Sequence, residues 1–221
     1  MSVNEKMTAI ADAIRDKTGG TEKLGLDAMA AGVGSVYTAG IEQGKQAEYD
    51  ILWDNLQQNG RRAHYSSAFA YTGWNDANYN PKYPITPTHQ EGIASMFTWN
   101  VEITDTKVPI TAFGKCQTAF NQMARLRRIP KLIFDGVTNT SNMFNNCVRL
   151  EELYCDGELS LSLSLAQSNL LNDASIQSVI DVLANLTGQP AQTLTFHKDV
   201  GNKLTQAQKD AISAKNWTLV Y

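Results

Sequence analysis

Val3, Met7, Ile10 and Ile14 recur at spacings of four, three and four. This narrow apolar stripe suits the seam of a coiled coil better than the broad face of a core helix. Ser2 and Glu5 have the spacing of a capping box at its start, and Thr18-Gly19-Gly20 ends it. A second periodic stretch carries Leu26, Met29, Val33, Val36 and Gly40. It continues through Ile41, Tyr49, Leu52, Trp53 and Leu56 to a stop at Asn59-Gly60. Gly40 and Gly44 fall on one face and would let another helix approach closely. Gly32 and Gly34 equally allow a break into two shorter helices. The stripe Val3–Met7–Ile10–Ile14 with Gly40 and Gly44 is thus the candidate oligomerisation surface.

Between residues 61 and 92 the periodicity stops. Pro81, Pro84 and Pro87 forbid a continuous helix, and Tyr65, Phe69, Tyr71, Trp74, Tyr79 and Tyr83 cluster, with Phe97 and Trp99 just beyond. An aromatic connector or cap covering the end of the next domain is expected.

A repeat then sets in. Phe97, Phe120 and Phe144 are 23 and 24 residues apart. Met123, Leu126 and Ile129 follow the second Phe as Cys147, Leu150 and Leu153 follow the third. The first copy is weaker: Asn100 and Ile103 are assigned to its second and fourth positions, with Leu replaced. Leu132-Ile133-Phe134 and Leu153-Tyr154-Cys155 are the expected strands, and Asp135-Gly136 and Asp156-Gly157 the turns after them. A period in this range with fixed apolar positions reads as a leucine-rich repeat, each unit too small to bury its own apolar face alone. Downstream, Leu159, Leu161, Leu163 and Leu165 alternate with serines as a half-buried strand. Asn172-Asp173 starts a helix to Leu186, Thr193–Phe196 is a strand, Thr205 caps a second helix, and Trp217–Tyr221 closes the chain as a strand. The predicted fold class is α/β: N-terminal oligomerising helices followed by a short leucine-rich-repeat solenoid. The segments are 1–60 for oligomerisation and docking, 61–92 as connector, and 93–221 as the repeat domain with its closing strand–helix units.

Composition narrows the function. Of 221 residues 43% are hydrophobic and 19% charged, with a formal net charge of −3, so nothing draws the chain to nucleic acid or an anionic membrane. No apolar run approaches the ~18 residues of a membrane span, and the N-terminus lacks the pattern of a secretory signal. Cys116, Cys147 and Cys155 have no zinc or disulfide spacing. Cys147 sits at a core position of the repeat, where a thiol behaves as a small apolar group. His64, His89 and His197 are far apart in sequence with no carboxylate at ligand spacing. No phosphate-binding loop or nucleophile motif occurs, so no enzyme, cofactor or metal is expected. Arg125, Arg127, Arg128 and Lys131 form the one basic cluster. It could recognise an anionic wall polymer, or be a solvated face. Tyr71, Trp74 and Trp99 could stack on sugars, or shield the end of the repeats.

The Met-Phe-x-x-Cys-x-x-Leu unit resembles the BspA-like leucine-rich repeats of bacterial surface and phage proteins. Leu183-Ala184-Asn185-Leu186-Thr187-Gly188-Gln189, with Gln192–Thr195, Leu204-Thr205 and Lys215–Leu219, is similar to the closing segment of repeat proteins encoded by phages and prophages of Gram-positive gut bacteria. Ile10–Gly19 is similar to the opening of phage tail-associated proteins of the same hosts. The resemblance implies a non-catalytic virion protein of tail or baseplate, made in the bacterial cytoplasm. It would be a homo-oligomer, by analogy a trimer, binding other virion proteins and a host surface protein or glycan. A prophage-encoded interaction module outside the virion is the alternative it leaves.

Overall fold

The computed structural model describes residues 3–18 and 53–221. The chain divides into two compact units, Met1–Ile51 and Leu52–Tyr221. In the first, helix α1 (Val3–Thr18) forms where the apolar stripe predicts one. Ala11 and Ile14 are buried, but Ile10 is 44% exposed. The stripe is therefore not covered along its length, since Ile14 is buried while Ile10, one turn earlier, is exposed. The side chains of Val3 and Met7, the capping Ser2, Gly40 and Gly44, and most of the second periodic stretch lie outside the described residues.

The second unit is a mixed α/β fold with two three-stranded parallel sheets. The first sheet has the order β1 (Ile110–Lys115), β2 (Arg128–Asn139), β3 (Glu152–Gly157). The second has β4 (Leu163–Leu165), β5 (Gln192–Phe196), β6 (Trp217–Val220). Helices α2 (Asp173–Asp181), α3 (Lys198–Gly201) and α4 (Gln206–Ala214) lie in the links of the second sheet. The expected oligomerising helices followed by a leucine-rich-repeat solenoid are therefore not the fold. Pairing breaks after β3, where Leu159 makes only an isolated bridge to Leu183. Beyond that break the unit lengthens. Registered residues such as Leu132 and Cys155 lie 23 apart, whereas Leu163 and Leu194 lie 31 apart. The longer link, between β4 and β5, holds helix α2.

Other boundaries move for local reasons. Strand β2 runs on through Asp135-Gly136, because a bulge absorbs the left-handed Gly136 (φ +64°) while Gly114 pairs with Val137. Of the alternating leucines only Leu163–Leu165 is strand. Asn172 caps α2 by accepting the Ser175 N–H, and Thr205 caps α4 in a complete capping box with Gln208. Helix α2 stops at Asp181, short of the expected Leu186.

Opposite the first sheet, the chain is built of stacked turns. Tyr65–Thr72, Ile93–Asn100, Cys116–Met123 and Thr140–Cys147 are runs of consecutive turns in which alternate residues bond differently. Ala70, Thr98, Asn121 and Asn145 each donate to the carbonyl three residues back. Phe69, Phe97 and Phe120 instead donate across to Met96, Ala119 and Met143, at 3.0, 2.8 and 2.9 Å. Backbone groups that a helix would satisfy internally are satisfied here between layers.

Inside this stack, Phe97, Phe120 and Phe144 form a ladder. Ring centroids are 5.9 and 5.3 Å apart, and the last pair is 7° from parallel. Leu165 and Ala166 follow in place of a fourth Phe, which leaves a cleft of about 70 Å³ beside Phe144. The residues expected to be a connector extend the ladder in the other direction. Phe69 stacks 5.3 Å from Phe97, and Trp53, Trp74 and Tyr79 pack around it. The first copy of the repeat also falls into a corrected register. The bridge Asp105–Arg128 and the pair Arg128–Glu152 place Ile103 with Leu126 and Leu150, and Thr106 with Ile129 and Leu153. Asn100 is fully buried at the Met123/Cys147 position. Its amide donates to Phe69 O and its oxygen accepts from Thr72 Oγ1 at 2.7 Å. Cys147 does the same job two layers on, its thiol donating to Phe120 O at 3.1 Å.

The layers approach closely on the sheet side. A Cβ on Gly92 would lie 2.0 Å from Phe113 O, and one on Gly114 2.4 Å from Gln90 O, both on left-handed backbone. Only glycine fits there.

Candidate functional site

The stacked turns demand left-handed backbone at two fixed places per layer, two residues before and two after the Phe. The first row is Ser67, Ser95, Thr118 and Asn142, with φ between +52° and +54°. The second is Tyr71 (+56°), Trp99 (+65°), Gln122 (+64°) and Asn146 (+59°). Asn tolerates this region through its short polar side chain, whereas a bulky residue there is an outlier. Tyr71 and Trp99 stand in it all the same. Their rings are 21° from parallel with centroids 6.4 Å apart, and the residues are 72% and 48% exposed. Backbone bonds fix both: Tyr71 N–H donates to Thr98 O and Trp99 N–H to Asn121 O, each at 3.0 Å.

The row continues as amides. Asn146 Nδ2 donates to Gln122 Oε1 at 2.7 Å, and Gln167 Oε1 accepts the Asn146 N–H. One residue inward a parallel pair forms, Asn145 Nδ2 donating to Asn121 Oδ1 at 2.8 Å. Trp74, grouped with Tyr71 and Trp99 in the sequence, is not part of this face. It packs 4.9 Å from the buried Trp53 and 5.6 Å from Phe69.

The basic cluster is a lattice of ion pairs between neighbouring layers. Arg125 pairs with Glu102, Arg127 with Glu151 at 2.9 Å, and Lys131 with Asp156 at 2.8 Å. Arg128 stands between Asp105 and Glu152, 3.1 Å from each. Bonding to Lys131 and to the Gly157 N–H holds the Asp156 carboxyl below the usual range. Each cation has its carboxylate at hand, so little field remains to attract a polyanion.

His64 and His89, distant in sequence, have ring centroids 5.8 Å apart. His89 Nδ1 accepts the Glu91 N–H, and His197 Nδ1 accepts the Asp199 N–H as the cap of α3. Among the described residues no group of three or more His, Cys, Asp or Glu is placed to hold a metal ion. Burial pushes the thiols of Cys116 and Cys147 up to about 12 and raises that of Cys155 as well. They are protonated, poor nucleophiles at neutral pH. No described helix is long and apolar enough to cross a membrane.

The amides Gln122, Asn146 and Gln167 were not singled out in the sequence. The signal was present: Ser67-Ala68-Phe69-Ala70-Tyr71 parallels Ser95-Met96-Phe97-Thr98-Trp99. The insertion around Pro81–Pro87 stretches their spacing to 28 residues and hides the match. Comparison with protein-family models, with curated proteins and with solved structures finds no match to this chain.

Proposed function

We propose that this chain is a non-catalytic, host-surface-binding component of a phage tail or baseplate. In this reading the layered second unit faces the bacterium. The chain joins other virion proteins and further copies of itself, as a trimer. The observation that carries it is the Tyr71–Trp99 pair: two large rings left in solvent on backbone that disfavours them, anchored by hydrogen bonds between layers. Rigid aromatics bind with little loss of side-chain entropy, and nothing beside them is activated for chemistry. The virion assignment draws on the closing segment Leu183–Gln189 with Gln192–Thr195 and Lys215–Leu219, which resembles endings encoded by phages of Gram-positive bacteria.

Two measurements test the proposal. Peptides of this chain should be found in purified particles of the encoding phage, and the full chain should sediment with walls of its host. Absence from the particle together with binding to a cytosolic protein favours the alternative, a prophage-encoded interaction module. A monomer by light scattering at micromolar concentration removes the trimer.

A further inference from the structure

We infer that the outward row Tyr71–Trp99–Gln122–Asn146–Gln167 is a binding track for a neutral, polyhydroxylated polymer, a surface glycan without phosphate or carboxylate groups, lying across the layers. This rests on the host-surface reading and gives it a ligand class and a site.

Four observations converge on that class. First, folding alone would place Asn or Gly at positions 71 and 99, as Asn146 shows in the same row at φ +59°. Side chains kept against local backbone preference mark function more than stability. Second, the rings are nearly parallel and exposed, offering an apolar surface of the kind that covers the C–H face of a sugar. Third, the amides beyond the rings are half-used. With Asn146 Nδ2 on Gln122 Oε1 and Asn145 Nδ2 on Asn121 Oδ1, the remaining groups are Gln122 Nε2, Asn146 Oδ1, Asn121 Nδ2 and Asn145 Oδ1. None has a partner among the described residues. They offer donors and acceptors together, which suits hydroxyls, since each hydroxyl can both donate and accept. Fourth, the row carries no Asp, Glu, His, Lys or Arg, and the cations Arg125, Arg127, Arg128 and Lys131 are paired with carboxylates. A phosphate-bearing polymer would find no cation along the row itself to bind. At the usual strand-like rise of roughly 4.8 Å per layer, five positions span about 20 Å, room for several sugar residues of one chain.

The test uses the full chain and walls of the host bacterium, untreated, protease-treated, or oxidised with periodate, which cleaves vicinal diols. Binding should survive protease, disappear after periodate, and change little between roughly 0.05 and 0.5 M salt. Trp99→Asn and Tyr71→Asn should each weaken binding roughly tenfold or more while leaving the melting temperature unchanged or higher, because Asn suits the left-handed backbone. Arg127→Ala should bind as the parent does. Binding that is lost to protease, that collapses with salt, or that survives intact in both Asn variants overturns the glycan track and leaves host-surface attachment standing. A parent chain that binds no wall preparation overturns the host-surface reading itself, and the track with it.

Discussion

The turn layers between Tyr65 and Leu150 and the strand–helix units from Leu163 onward both cover one side of a parallel sheet, and they do so differently. In the strand–helix half, helices α2 and α4 satisfy their own backbone, and Asn172 and Thr205 cap the exposed ends. Each helix is a separate piece. In the turn half, the layers from Tyr65 to Met123 do not satisfy their own backbone: every second N–H reaches into the next layer, and a Phe ladder fills the interior. Layered turns are thus more mutually dependent than helices, and they force left-handed backbone at regular outward positions. An outward row spaced by the layers follows directly from that constraint.

Substitutions can break this contrast. Phe120 lies between Phe97 and Phe144, whereas Phe144 has a ring on one side only. Phe120→Ala should cost roughly 3–5 kcal/mol, and Phe144→Ala less, since its outer side already borders a cleft. Urea melts giving equal and small losses, under ~1 kcal/mol, would mean that the ladder does not hold the layers together.

Asn100 tests coupling between layers more finely. Asn100→Ala removes the buried amide that bonds both Phe69 O and Thr72 Oγ1, leaving them only their own 3.2 Å bond, and a loss of about 1–3 kcal/mol is expected. Hydrogen exchange should quicken at Tyr71, whose N–H is bonded between those same two layers. Exchange unchanged at Tyr71 would show the layers to be independent.

In the strand–helix half the expected effect is smaller and local. Thr205→Ala removes one side of the α4 capping box and should cost about 1 kcal/mol, read as a shift in the denaturation midpoint with the slope unchanged. A larger loss, or faster exchange in the turn layers, would join the two halves into one cooperative structure.

The least effect near neutral pH comes from the buried thiols. Cys116 and Cys147 have folded pKa values raised to about 12 by burial. The folded state therefore holds their protons more tightly than the unfolded chain does. Their contribution is complete below the unfolded thiol pKa of ~8.5 and is lost as pH rises from there toward 12. Stability should be flat with respect to these groups from pH 6 to 8 and decline above about pH 9, with alkylation slow until the fold opens. Rapid alkylation of the native chain at pH 7.5 would contradict the burial of both.

Two residues of the proposed row, Tyr71 and Trp99, could be read in the sequence, though not the row they stand in. Tyr71 and Trp99 are named by their aromatic character, but so is Trp74, which packs against Trp53 instead. Composition cannot distinguish a ring that shields a core from one that faces solvent. The Arg cluster has the opposite fault: its charges are obvious along the chain, while Glu102, Asp105, Glu151 and Glu152, which pair with them, lie a full layer away.

By itself the sequence determined the local units. The 23- and 24-residue spacing of the Phe positions, the strands around Leu132 and Leu153, and the caps Asn172 and Thr205 all follow from periodicity and side-chain chemistry within a few residues. The tertiary structure alone decided where pairing stops and what faces out. Those depend on how one layer sits on the next: on pairing that dwindles after β3 to the single Leu159–Leu183 bridge, and on a left-handed turn that swings Trp99 to solvent while Phe97, two residues earlier, is fully buried. A repeat shows which positions are equivalent. Only the stacking of the layers sets which of them meet a neighbour and which meet water.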